Sequence, residues 1–224
     1  MDRERRDTNA ENKLWANPCD YKDSQSKPVI APDQAKEIAK KLVVQANRTY
    51  EKTVMYSMSF AKKLHSYDSF DTLLSDWKSQ DFLRSYSWLR VEGFPREMNL
   101  GQTMPDKYME DLIPKIDEVL PGMYKGLKMI VAGLDTFTNK VLNGSVTSDE
   151  PLRENLRQTM HDVRAVLCYF NDIMNVRNLE IEKLSDSEIP TDLDSNMGIL
   201  LYRDTLVFLK YLAQVFQKLY NLES

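Results

Sequence analysis

From Asp33 to about Ser66 the chain has neither glycine nor proline. Apolar or small residues return every third or fourth position: Ala35, Ile38, Ala39, Leu42, Val43, Ala46, Tyr50, Thr53, Tyr56, Phe60, Ala61 and Leu64. That period predicts one long amphipathic helix, A. Pro32 suits its start, and the Asp33 carboxylate is expected to accept from free backbone N–H groups there. A second stripe runs through 106–142, from Met109, Leu112 and Ile116 to Leu134, Phe137 and Val141. This is helix B, which Pro114 and Pro121 should kink or divide. Asn143-Gly144 marks its end. Thr147 and Glu150 fit a capping box opening helix C, whose core face carries Leu152, Leu156, Met160, Val163, Leu167, Phe170 and Met174. Asp194 and Ser195 are expected to cap helix D, with Leu201, Tyr202, Thr205, Leu209, Leu212, Ala213 and Phe216 facing inward.

The links differ in length, and length constrains direction. B–C is very short, which forces antiparallel neighbours, and the polar C–D link, about 178–194, is intermediate. Residues 67–104 contain one short amphipathic piece, about Asp71 to Val91, broken afterwards by Gly93, Pro95 and Gly101. A connection of about 40 residues can cross the full length of a helix of ~45–50 Å, so A and B can run parallel. The expected fold is therefore all-α: a long-chain four-helix bundle, up-up-down-down, with a short extra helix in a long A–B crossover. An ordinary up-down bundle is the alternative. Residues 1–32, polar and carrying Pro18, Pro28 and Pro32, read as an irregular N-terminal arm, and 33–224 as a single bundle domain.

Composition narrows the function classes. The 224 residues include 42% hydrophobic and 29% charged side chains, ordinary for a globular domain, and only 7 glycines, which suits helices. A net charge of −4 gives no general attraction to nucleic acid or anionic membrane, and no apolar run reaches the ~20 residues of a membrane span. Met1 to Arg6 are charged and no apolar signal segment follows, leaving a cytosolic chain or a mature secreted form both open. His65 and His161 are the only histidines. No His-Glu-x-x-His, Cys-x-x-Cys, phosphate loop or Gly-x-Ser-x-Gly elbow is present, so no metal, cofactor or catalytic residue is expected and the chain reads as a non-enzyme.

Most of the eleven methionines fall on core stripes. Met55 and Met58, with Val44, instead project from the outer side of helix A, which points to a partner surface there; scattered surface methionines are the plainer reading. Two glycosylation sequons, at Asn47 and Asn143, are as many as composition alone would give, but both lie off the core stripes. Cys19 lies in the polar arm and Cys168 on the flank of helix C, about 100° or more from its core centre. Two reduced thiols and one long-range disulfide both remain open. Arg157, His161 and Arg164 share that flank and could meet acidic groups of the arm such as Asp20.

The segment Asp162-Val163-Arg164-Ala165-Val166-Leu167-Cys168-Tyr169 resembles helix C of interleukin-6-type long-chain cytokines, in the style of the leukaemia inhibitory factor and oncostatin M branch. Helix A from Ile38 to Tyr56, with its sequon at Asn47, and Leu206 to Leu219 at the end of helix D are similar to that group too. The resemblance implies a Cys19–Cys168 disulfide, secretion as a monomer, and engagement of receptor ectodomains. Those would be the shared signal-transducing receptor of the interleukin-6 group and a leukaemia-inhibitory-factor-type receptor, activating JAK kinases and STAT signalling without membrane insertion or nucleic acid. One expected receptor surface is the outer face of A and C: Val44, Arg48, Met55 and Met58 with Gln158, Ala165 and Tyr169. The other lies where D begins and the A–B link packs: Trp88, Phe94 and Met197. The family's Phe-x-x-Lys motif at the start of helix D is absent from 192–198, so the private receptor is not specified. The rival reading is an intracellular helical adaptor or scaffold.

Overall fold

The computed structural model describes residues 13–21, 30–78, 100–142, 149–189 and 193–222. Their regular elements are all helical, with no strand among the described residues. The helices are α1 (Ala35–His65), α2 (Phe70–Lys78), α3 (Asp106–Leu112), α4 (Ile116–Thr136), α5 (Glu150–Val176) and α6 (Ser195–Leu219).

Helix starts depart from the sequence reading at two of three points. Pro32–Gln34 form a 3-10 turn, α1 begins only at Ala35, and no side chain caps it. Asp33 therefore does not cap as expected, because the tighter turn takes its place within the first winding. Helix α5 is capped by Asp149, whose Oδ1 accepts from the Leu152 N–H at 3.0 Å. Thr147, the expected capping residue, lies outside the described residues. Asp194 caps α6 as expected, accepting from Met197 N–H at 2.8 Å.

The prolines of helix B act differently from each other. Pro114 lies in a 3-10 turn, Ile113–Lys115, that separates α3 from α4, whereas Pro121 sits inside a continuous α4. Beyond Thr136 the backbone widens into a π-turn at Phe137–Val141. The turn seats Phe137 in the core against Gly198 of α6, where a Cβ would lie 2.3 Å from the Phe137 ring. Only glycine admits that approach.

Helix α1 packs against α5 and α6, and α4 packs against the same two. Between α1 and α5, Lys52 meets Asp162 at 3.0 Å and Lys63 meets Asp149 at 2.7 Å. Between α1 and α6, the Phe60 and Tyr202 rings stack 4.5 Å apart, the Tyr202 hydroxyl donates to the Thr53 carbonyl, and Lys210 lies 5.3 Å over Tyr50. Between α4 and α5, the Tyr124 hydroxyl donates to Asn171 at 3.2 Å and Arg177 meets Asp117 at 2.5 Å. An edge-to-face series Tyr124–Phe170–Phe216, with centroids 5.2 and 5.1 Å apart, carries the core through to α6. The expected stripes supply most of this core. Thr49, left off the helix A stripe, is fully buried as well.

Part of the expected arm is described. Residues 13–21 form turns along α5, and Trp15 is buried in the main core.

Candidate partner surface

Periodicity alone determines where the outward face of α1 must be. The residues opposite its buried stripe are Val44, Arg48, Glu51, Met55 and Met58, at about 100° per residue. Val44 is 60% exposed, Met55 75% and Met58 62%. Val54, missed by the sequence reading, adds a fourth apolar side chain at 40%. Its signal was weaker: at about 100° from the centre of the buried stripe it sits at the edge of the outward face rather than opposite the core. Arg48 is exposed among them. Removing such side chains from water is favourable, so four of them on one helix face form a surface that a partner could cover.

On α5 the expected surface residues lie differently. Gln158, Ala165 and Tyr169 are all half-buried. Gln158 donates to Asp162 at 3.1 Å, and Asp162 also takes Lys52 of α1. This bridge ties the two helices along one flank, and neither partner in it was anticipated from the sequence. Tyr169 packs partly against the core. Gln158 therefore belongs to the seam beside α1, and none of the three stands fully out from the bundle.

The arm occupies the far side of that seam. Cys19 and Cys168 are joined by a disulfide, with Cα atoms 4.9 Å apart. One turn before it, Arg164 donates to the Asn17 carbonyl at 3.1 Å and pairs with Asp20. One turn after it, the Tyr21 hydroxyl donates to Asp172 at 3.2 Å. Burial pushes the Asp172 carboxyl up, partly offset by the hydrogen bond from Tyr21. Burial, then the Asp172 charge, raises the Tyr21 hydroxyl. Of the three basic residues expected to meet the arm, Arg164 alone does so among the described residues, where Arg157 pairs with Glu154 at 2.7 Å and His161 is exposed. Cys19, Cys168 and Asp172 bring three metal-capable atoms together, but the two sulfurs are spent on each other and the carboxylate on Tyr21.

The second expected surface changes most. Met197 is only 5% exposed and belongs to the core. The Asp194 cap starts the helix just before it, and Gly198 brings the same turn against Phe137, so this end of α6 is drawn inward. Met197 is therefore corrected from a surface anchor to a packing residue. Trp88 and Phe94 lie outside the described residues, as does Asn143; Asn47 is half-buried on α1.

Among the described residues no helix is long and apolar enough to cross a membrane. Comparison with known protein families, with curated proteins and with solved structures finds no match to this chain.

Proposed function

We propose that this chain is a secreted, cytokine-type ligand that binds receptor ectodomains through the outer face of α1 and its seam with α5. Joining receptor chains would activate JAK kinases and STAT signalling. The observation that carries the reading is the exposure of Val44, Val54, Met55 and Met58 on a helix whose opposite face is fully buried. A binding ligand of this kind performs no bond chemistry. Its work is differential burial, with a few apolar and Arg anchors contributing most of the affinity.

We read the four long helices as an up-up-down-down bundle. In support, rising numbers on α1 meet falling numbers on α5, Lys52 with Asp162 and Lys63 with Asp149. The same order holds against α6, Tyr50 with Lys210 and Phe60 with Tyr202. On α4, Asp117 meets Arg177 and Tyr124 meets Asn171. After α4, Phe137 meets Gly198, while before it Tyr108 lies 6.5 Å from Tyr211. Two helices that both oppose the same neighbours point the same way, which requires a long crossover between them. The Cys19–Cys168 bond supports the extracellular side of the reading, because such bonds persist in oxidising compartments.

Binding to interleukin-6-group receptor ectodomains tests the proposal. Val44→Glu, Met55→Glu and Met58→Glu should leave stability within ~0.5 kcal/mol, since these positions are exposed. The same changes should weaken binding by roughly tenfold or more if the face is a hot spot. Unchanged binding to every candidate receptor removes this face from the reading. Two free thiols in native secreted material would remove the Cys19–Cys168 bond from the reading.

A further inference from the structure

The outer face of α1 contains a chemical handle that the docking reading does not use. Asn47 opens the sequon Asn47-Arg48-Thr49 and is half-buried. At 100° and 1.5 Å per residue it lies about 60° and ~4.5 Å from Val44, about 20° and ~10 Å from Val54, and about 20° and ~16 Å from Met58. It therefore stands in the same strip as three of the exposed apolar side chains, between Val44 and the other two. Two further observations bear on it. The disulfide belongs to the oxidising compartment in which sequons are also modified. Thr49, the sequon's hydroxyl residue, is fully buried, with its Oγ1 bonded to Gln45 Nε2 at 3.2 Å.

We propose that Asn47 carries an N-linked glycan that covers the Val44–Val54–Met58 strip, so that glycan occupancy and partner docking on α1 exclude each other. The inference rests on the reading of the chain as a secreted ligand. In the transfer, the Asn47 amide nitrogen bonds to the anomeric carbon of a lipid-pyrophosphate-linked oligosaccharide. The sugar–phosphate C–O bond breaks, the lipid pyrophosphate leaves and the amide loses one proton. Because the folded helix hides Thr49, transfer must precede the winding of α1. Modification and folding then compete, and the chain divides into a shielded pool and a pool with the apolar strip open. A bulky, hydrated glycan would keep the first pool soluble and inert at this face.

The test uses full-length chain from secretory cells, wild type and Asn47→Gln, with peptide mass spectrometry. Asn47 is expected to be occupied. Peroxide oxidation of Met58, which reports exposure, should run several-fold faster in Asn47→Gln than in the glycan-bearing chain. The buried Met123 and Met174 are internal controls and should not change. Trimming the folded wild-type glycan to a single sugar should speed Met58 in the same way, which covers the case of a variant that folds poorly. An unoccupied Asn47, or equal Met58 rates, in secreted chain with the disulfide formed would overturn this inference and leave the ligand reading standing. Chain retained inside the cell with two free thiols would sink both.

Discussion

Single residues mark where this fold tolerates little change. Gly198 is required by the Phe137 ring, which a Cβ would meet at 2.3 Å. Gly198→Ala should therefore cost ~1–3 kcal/mol in urea unfolding, despite the better helix propensity of alanine. A neutral or stabilising result would mean that the π-turn relaxes freely. Lys128 is the other instructive residue. It is buried on α4, with its Nζ donating to the Glu182 carbonyl at 2.6 Å and lying 5.0 Å over the Tyr124 ring. Burial pulls this ammonium down to about 8 from 10.5, with Glu182 opposing. The folded chain thus loses that proton before the unfolded chain does. Between pH 8 and about 10 the unfolded state binds more protons, so stability should rise with pH across that window. Burial raises the Tyr124, Tyr202 and Tyr211 hydroxyls, and they oppose this trend only at higher pH. Lys128→Met should flatten the rise, as read from urea midpoints across the window; a wild-type profile already flat there would count against the assignment.

At the scale of elements, the arm behaves as a strap rather than a tail. One disulfide, the Arg164 clasp, the Tyr21–Asp172 bond and buried Trp15 hold residues 13–21 to α5 and the core. Closing a loop over a sequence separation of 149 restricts the unfolded chain, a stabilisation of ~2–5 kcal/mol. The Cys19→Ser, Cys168→Ser double variant should lose that much while keeping its far-ultraviolet helix signal, with red-shifted tryptophan emission as Trp15 meets water. Unchanged emission would show that packing alone retains the arm. The segment after α5 is held in a comparable way: Lys125 of α4 meets Glu182 at 3.2 Å and Glu188 at 2.7 Å, and Lys13 of the arm pairs with Asp186. Lys125, together with Ser185, holds the Glu188 carboxyl down to about 2. These contacts are exposed and individually weak. Their effect is to guide the link rather than to stabilise the core.

For the whole molecule, α6 is the centre. From Met197 to Leu209 every residue but Arg203 is buried, while α1 presents a long exposed face. Local opening should be rarest where apolar contacts enclose a helix on most sides. Native-state hydrogen exchange is therefore expected to be slowest in α6, slower than in α1, with α2 and the arm fastest among the described segments. Equal protection in α1 and α6 would mean that the outer face of α1 is covered in solution, by a second copy or a glycan.

Much of this was legible in the chain itself. The 3.6-residue period gave the four long helices, since burying one face of a helix demands that spacing wherever the helix lies. The same period identified Val44, Met55 and Met58 as outward, because a residue opposite a buried stripe has nowhere else to point. What the chain could not express locally was which distant surfaces meet. Trp15 belongs to the core because its segment is held on α5, by contacts that include a bond between cysteines 149 residues apart. Met197 looked like a surface anchor because its burial depends on Gly198 admitting Phe137, a contact between turns 61 residues apart. Lys52 and Asp162 each read as ordinary solvated charges until packing set them 3.0 Å apart. Periodicity is a property of neighbours along the chain; burial and pairing belong to neighbours in space, and those only the tertiary structure decided.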